Sequence, residues 1–391
     1  MILDKLFQLM ADKHASDIFI SAGVPIHIKI QGNTFPVNQQ VMDPAMIEKI
    51  AMELMSTDQQ RLFEATMEMN LSFGVPGIGN FRVNLFRQRA SISIVVRYIL
   101  GNIPALDTLS LPPVLSELIM EKRGLILIVG ATGSGKSTTI ASMLDYRNAH
   151  RSGHILTIED PIEFLFKHKK SIVNQRELGM DTLGWEPALK NAMRQAPDCI
   201  LIGEIRDKET MQAAIAYAQT GHLCLATLHA NNSYHALNRV INFFPLDTRT
   251  SLYLDLSASL KAIVSQRLVK RPDGKRTPAA EVMLNTRHVQ ELIERGEVLA
   301  VKEAMEQSLA PGSQTFEQDL FRLFREQAIT LDEALANADS PTNLSWLINN
   351  SEIPSTAKES TLRVETPLDF SETNLGGTSF KEFSLSLNEA P

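Results

Sequence analysis

The sequence predicts an α/β protein in two parts: a nucleotide-binding domain on a largely parallel sheet, preceded by a smaller α+β domain. Three observations lead there. Residues Gly130, Ala131, Thr132, Gly133, Ser134, Gly135, Lys136, Ser137 and Thr138 fit the phosphate-loop pattern G-x-x-x-x-G-K-S/T. They lie between an apolar run, 125–129, with the length and β-branching of a buried strand, and a stretch, 137–144, able to form a helix. From there strand patterns at 125–129, 155–158, 199–203 and 223–227 alternate with helical ones, which implies parallel strands with helices on both faces.

The loop itself carries a mechanism. Its glycines let backbone N–H groups close around phosphate oxygens, and the dipole of the following helix favours negative charge. Lys136 would reach the β- and γ-phosphates, and the Ser137 hydroxyl would hold Mg²⁺.

Residues 1–100 read as the separate α+β domain. Ile2, Leu3, Leu6, Phe7 and Met10 share one helical face, and Ile18, Phe19 and Ile20 begin a strand. Ile26, Ile28 and Ile30 alternate as a second strand before a turn at 31–33. Helices are expected near 44–55 and 58–66, then strands near 69–74, 80–88 and 91–98. Arg82, Arg87, Arg89 and Arg97 fall in this last part. They are either a solvated, ion-paired face or arginine forks reaching the nucleotide of a neighbouring subunit. Residues 101–113, dense in proline and turn formers, read as a linker and hinge.

Chemistry gathers after the predicted strand ends, which right-handed crossovers bring to one edge of the sheet. Glu159, Asp160 and Glu163 follow the strand at 155–158; beside a phosphate loop they can hold Mg²⁺ through water or align an attacking water. Glu204 ends the strand at 199–203, where phosphate-loop enzymes keep a metal-linked acid, more often aspartate. The helix before that strand buries Leu189, Ala192, Met193 and Ala196 and turns Arg194 outward. His222 and His229 stand at opposite ends of the strand at 223–227, with His229 at the carboxyl end and suited to sense the γ-phosphate. Residues 265–271, with Arg267, Lys270 and Arg271, read as a helix end, either solvated or a functional patch.

Composition excludes some classes. A net charge of −7 argues against a general nucleic-acid or anionic-lipid binder. The two cysteines, Cys199 and Cys224, make neither a zinc pattern nor a disulfide framework and sit in apolar runs, as buried thiols in a reducing compartment would. The N-terminus lacks a signal-peptide pattern, and no apolar run approaches the roughly 20 residues that span a bilayer. The expectation is a cytosolic protein without membrane insertion.

The segments Gly-Ala-Thr-Gly-Ser-Gly-Lys-Ser-Thr, Glu-Asp-Pro-Ile-Glu-Phe, Gly-Glu-Ile-Arg-Asp and Thr-Leu-His-Ala-Asn, in this order, resemble the secretion ATPases of type II and type IV systems. Within them the chain is most similar to the type IV pilus retraction ATPases of the PilT/PilU family, over residues 1–345. The resemblance implies a RecA-like ATPase domain at 114–345 behind a PAS-like N-terminal domain. It makes Glu163 the water-activating carboxylate and Glu204 the Mg²⁺-linked acid, and it matches Arg82 and Arg97 to N-domain arginines that approach the nucleotide. It further implies a hexameric ring under the inner membrane, ATP and Mg²⁺ as cofactors, and two partners: the paralogue PilT and the platform protein PilC. Two departures lean towards the PilU branch. Residues 287–296 replace the Ala-Ile-Arg-Asn-Leu-Ile-Arg-Glu stretch of PilT, and the 312–320 segment and extended C-terminus are PilU-like.

Three other readings compete. Extension and secretion ATPases typically add an N-terminal domain and paired Cys-x-x-Cys motifs, neither of which is present. A ring component that binds ATP only as a structural or regulatory partner is the second. A small-molecule kinase is the third, and no acceptor or lid signature supports it. Residues 346–391 form a tail whose Ser/Thr-rich part from 355 predicts disorder, with Phe370, Phe380 and Phe383 available to dock on a partner.

Overall fold

Strands β1 (Asp17–Ile20), β2 (Pro25–Ile30), β3 (Asn33–Val41), β4 (Glu68–Val75), β5 (Gly79–Gln88) and β6 (Ser91–Ile99) form an antiparallel sheet in the order β3-β2-β1-β6-β5-β4. The computed structural model describes residues 2–30, 32–99 and 102–350. Helices α1 (Ile2–Asp12), α2 (Pro44–Leu54) and α3 (Thr57–Thr66) complete this part. Its core follows the alternation read from the sequence: Ile18, Ile20, Phe81, Val83, Leu85 and Ile94 are fully shielded, and Phe7 of α1 stacks on Phe81 at 4.4 Å. Strand β3 was legible only as a turn. It lies at the sheet edge with nearly every residue exposed and Pro36 within it, so no apolar alternation marks it.

The second sheet has seven strands: β7 (Gly124–Val129), β8 (Gly153–Glu159), β9 (Ser171–Glu177), β10 (Cys199–Ile202), β11 (Leu223–Leu228), β12 (Leu260–Lys270) and β13 (Arg276–Leu284). Their order is β13-β12-β7-β11-β10-β8-β9, parallel throughout except for the β12–β13 hairpin. Helices α4 (Val114–Leu118), α5 (Lys136–His150), α6 (Trp185–Ala192), α7 (Lys208–Gln219), α8 (Ser233–Asn242), α9 (Arg249–Ser259), α10 (Arg287–Glu294) and α11 (Val301–Glu306) surround it, followed by α12 (Phe316–Arg325), α13 (Leu331–Asn337) and α14 (Pro341–Asn350). Two apolar clusters cover its faces. One joins Leu127, Ile200 and Ala226 to α7 and α8; the other joins Ile126, Ile128 and Leu225 to α5.

Four expectations change. Residues 265–270 belong to strand β12, not a helix end; the apolar run 260–264 follows α9 without a breaker, so its period reads either way. Met193 and Ala196 are exposed, because α6 gives way to a 3₁₀ turn that ends at Ala196 with φ +49°. The stretch after Asn102 is fastened rather than free: Ser142 of α5 donates to the Pro104 carbonyl at 2.8 Å, and Leu106 and Leu111 pack on the α5 cluster. Helix α14 runs five residues past 345 because Leu344 and Ile348, one turn apart, bury together. The tail reading for 351–391 lies outside the described residues. Met1–Asn349 form one compact unit.

A buried carboxylate makes the second sheet sensitive to pH. Glu281 on β13 accepts the Ser233 N–H at the start of α8 (2.7 Å) and the hydroxyls of Ser233 and Ser265. Burial pushes its proton affinity up; these hydrogen bonds oppose the shift, and nearby Asp339 adds to it. A carboxyl raised in the folded state stabilises fully below its ordinary value and loses that contribution as pH climbs through the folded value. Glu281→Gln keeps the accepting oxygen without the charge. From about pH 5 to about pH 9 its melting temperature should fall less than the parent's; equal slopes would refute the assignment.

Candidate functional site

The phosphate loop leaves β7 at Val129 and enters α5 at Lys136, with Gly135 as the cap residue. Gly135 has φ +90°, a backbone conformation that favours glycine, and a Cβ there would come within 2.8 Å of the Gln266 amide. Lys136 curls back and donates to the carbonyls of Gly130 (2.8 Å) and Ala131 (2.9 Å). Burial lowers its proton affinity, while Glu204 and Glu163 pull the other way. Ser134 Oγ is buried without a hydrogen-bond partner among the described residues.

The carboxyl ends of the parallel strands meet around one cavity of ≈ 230 Å³. Thr132, Gly133, Lys136 and Ser137 form one wall. Opposite them stand Glu159 at the end of β8, Asp160 and Glu163 after it, Glu204 after β10, and Thr227 and His229 from β11 and beyond. Gly203 permits this convergence, since a Cβ there would lie 3.0 Å from the Glu159 Cα and 3.1 Å from the Ile158 carbonyl.

The acids differ in setting. Burial pushes Glu159 up to about 7, against hydrogen bonds from Thr157 Oγ1 (2.6 Å) and Gln175 Nε2 (3.3 Å); Glu163 and Glu177 add to the rise. Glu204 accepts from Arg206 at 2.7 Å on one oxygen and lies 3.4 Å from His229 Nε2 on the other. Arg206 also reaches Asp160 at 3.7 Å. Glu163 is exposed into the cavity. A second cavity of ≈ 390 Å³ opens beyond Gly135, between residues 108–111, Thr138 of α5 and the β12–β13 hairpin with Arg271 and Arg276.

Other expected residues stand apart. Arg97 pairs with Asp17 across the first sheet at 2.8 Å. Arg82 reaches the second sheet, where its Nη2 lies 3.2 Å from buried Glu177. The other oxygen of Glu177 accepts the N–H of Ile162, inside the acidic turn (3.1 Å). His222 is at the far end of β11 beside Thr220 Oγ1 (3.1 Å) and the Tyr217 carbonyl (3.2 Å). Arg194 is exposed and lines a shallow hollow with Arg176, away from the phosphate loop. Cys199 and Cys224 are free and buried. Among the described residues no helix is long and apolar enough to cross a membrane.

Sequence reasoning passed over Arg206, Gln266 and Glu177. Arg206 follows Glu204 by two residues, but its second acid, Asp160, comes from a separate turn. Gln266 lay in the misread strand, and Glu177 in a strand with no apolar signature.

Comparison with known proteins agrees with this geometry. The family model described as type II/IV secretion system protein matches residues 1–321. The chain is 49% identical to the Type IV pilus ATPase PilU of Pseudomonas aeruginosa, covering 89% of this chain and 91% of that protein. It is 38% identical to the pilus retraction ATPase PilT of the same organism, covering 88% of this chain and all of that one. A crystal structure of the pilus retraction motor PilT with bound ADP superposes with a TM-score of 0.82 at 39% identity, over 88% of this chain and 98% of that one. The phosphate loop, its converging acids and these matches agree, and the chain belongs to the type II/IV secretion ATPase family.

Proposed function

We propose that this chain is a motor subunit of type IV pilus retraction, of the PilU kind, that hydrolyses ATP within a hexameric ring. The observation that carries the reading is the single cavity in which a phosphate loop faces Glu159, Glu163, Glu204 and His229. The relatives named for pilus retraction supply the biological setting. The triphosphate lies along Thr132, Gly133, Lys136 and Ser137, and the nucleoside in the cavity beyond Gly135. The Ser137 hydroxyl and the Glu204 and Glu159 carboxylates are oxygen donors on that cavity, the type and number that fit Mg²⁺, which keeps waters and takes phosphate oxygens as well. When bound, Mg²⁺ neutralises charge developing on the phosphates. Glu163 orients and deprotonates the attacking water, and His229 reads the γ-phosphate. Arg82 and Arg97 approach nucleotide held by a neighbouring subunit.

Residues 1–100 and 114–345 act as two bodies. ATP closing the cleft moves the N-terminal body and hydrolysis releases it. The ring works at the cytoplasmic side of the inner membrane, together with PilT and on the platform protein PilC.

The test is steady-state ATPase activity with native mass, alone and with a PilT partner, and with Glu204→Gln as control. A six-chain mass and turnover that the control lacks are expected. ATP binding without turnover under either condition would sink the motor reading and leave a structural partner.

A further inference from the structure

Strand β12 carries three consecutive polar side chains, Ser265, Gln266 and Arg267, after an apolar run. Successive side chains of a strand face opposite sides. Gln266 faces α5, where its Oε1 accepts from Thr139 at 2.7 Å in the buried interior. Ser265 and Arg267 face the loop between β11 and α8, which carries His229.

Arg267 binds three acceptors there. One nitrogen donates to the Asn337 carbonyl; the other donates to the Asn231 carbonyl (3.2 Å) and the Asp339 carboxylate. The guanidinium also lies over the Phe316 ring at 3.9 Å, a cation–π contact that fixes its plane. The second oxygen of Asp339 accepts from Asn232 Nδ2 at 2.7 Å, while Asn232 Oδ1 caps α8 through His235 N–H at 3.0 Å. The His229 carbonyl is held from α8 by Arg239 at 2.8 Å. The short loop is thus held at His229 by α8, at Asn231 by Arg267 of β12 and at Asn232 by Asp339, which lies between α13 and α14 and also holds Arg267. The Arg267 and Asp339 side chains are only 23% and 18% exposed, so removing one charge strands the other in a shielded site.

We propose that Arg267 and Asp339 are positioning residues for ATP turnover, a clasp by which the C-terminal helices set the place of the His229 imidazole against Glu204. This rests on the assignment of His229 to the γ-phosphate. The clasp touches neither cavity wall directly; it acts through the loop. Displacement of a group at the reacting phosphate by about an ångström can cost up to about a hundredfold in rate, without change in how ground-state ATP is held.

The experiment compares Asp339→Asn, His229→Ala and the double variant in the full-length assembly, reading kcat, KM for ATP and melting temperature. A second variant, Asn232→Asp, keeps the α8 cap and sets a like charge against Asp339. Asp339→Asn and Asn232→Asp should each lower kcat of the folded assembly roughly tenfold to a hundredfold with KM at the parental value, beside a lower melting temperature that stays above the assay temperature. Asp339→Asn should add nothing in the His229→Ala background. Parental kcat in both clasp variants, beside a slow His229→Ala, overturns the clasp and leaves the His229 reading standing. A loss that multiplies with His229→Ala, or one that follows a fall in folded protein, also overturns it. Parental kcat in His229→Ala removes the His229 reading and the proposal together.

Discussion

Replacing Lys136 by alanine lowers ATP turnover by at least on the order of 10²–10³-fold, the cost of losing one cationic donor aimed at developing phosphate charge. The loss extends to binding. Lys136 is the cation inside the loop, and its ammonium is held ready by the Gly130 and Ala131 carbonyls. When phosphate arrives the ammonium exchanges these two weak partners for a charged one, which favours the bound state. Without it Glu163 and Glu204 face the phosphates with less compensation, since both act on this lysine. Melting curves check the point. ATP should raise the parent's melting temperature by mass action and leave that of Lys136→Ala unmoved. A variant that binds and turns over ATP like the parent would overturn the phosphate-loop assignment.

The acids separate binding from chemistry. Glu163→Gln should lose about 10²–10⁴ in kcat while ATP still shifts the melting temperature, because a general base acts only on the attacking water. Glu204→Gln should also stop turnover, with an added signature. Its carboxylate lies between Arg206 and His229, so a neutral amide loosens the hold on both side chains and weakens the Mg²⁺ dependence of nucleotide binding. Parallel titrations of ATP with and without Mg²⁺ distinguish the two. If Glu163→Gln retained turnover while Glu204→Gln lost it, the water-activating role would pass to Glu204.

The parts of this site legible in the sequence share a property: each is continuous in the chain. The phosphate loop, the acidic turn after β8, Glu204 and His229 all follow apolar strands, and parallel pairing then brings them together. What escaped depends on contacts between distant segments. Strands β3 and β9 are edges that carry little apolar pattern, and β12 continues a helix without a break. Arg206 has meaning only once two turns converge, and Arg82 pairs with an acid on the other sheet. Met193 and Ala196 followed a helical period that the chain abandons at a 3₁₀ turn.

Glu177 makes one further point. One carboxylate holds an arginine of the N-terminal sheet on one oxygen and the backbone of the acidic turn on the other. Coupling of this kind is reciprocal: if the state of the turn favours one placement of the sheet, the placement of the sheet favours one state of the turn to the same extent. The joint therefore transmits in both directions. Parting Arg82 from Glu177 would alter the carboxylate that holds the Ile162 N–H, so a displacement of the first sheet is felt by the backbone of the acidic turn.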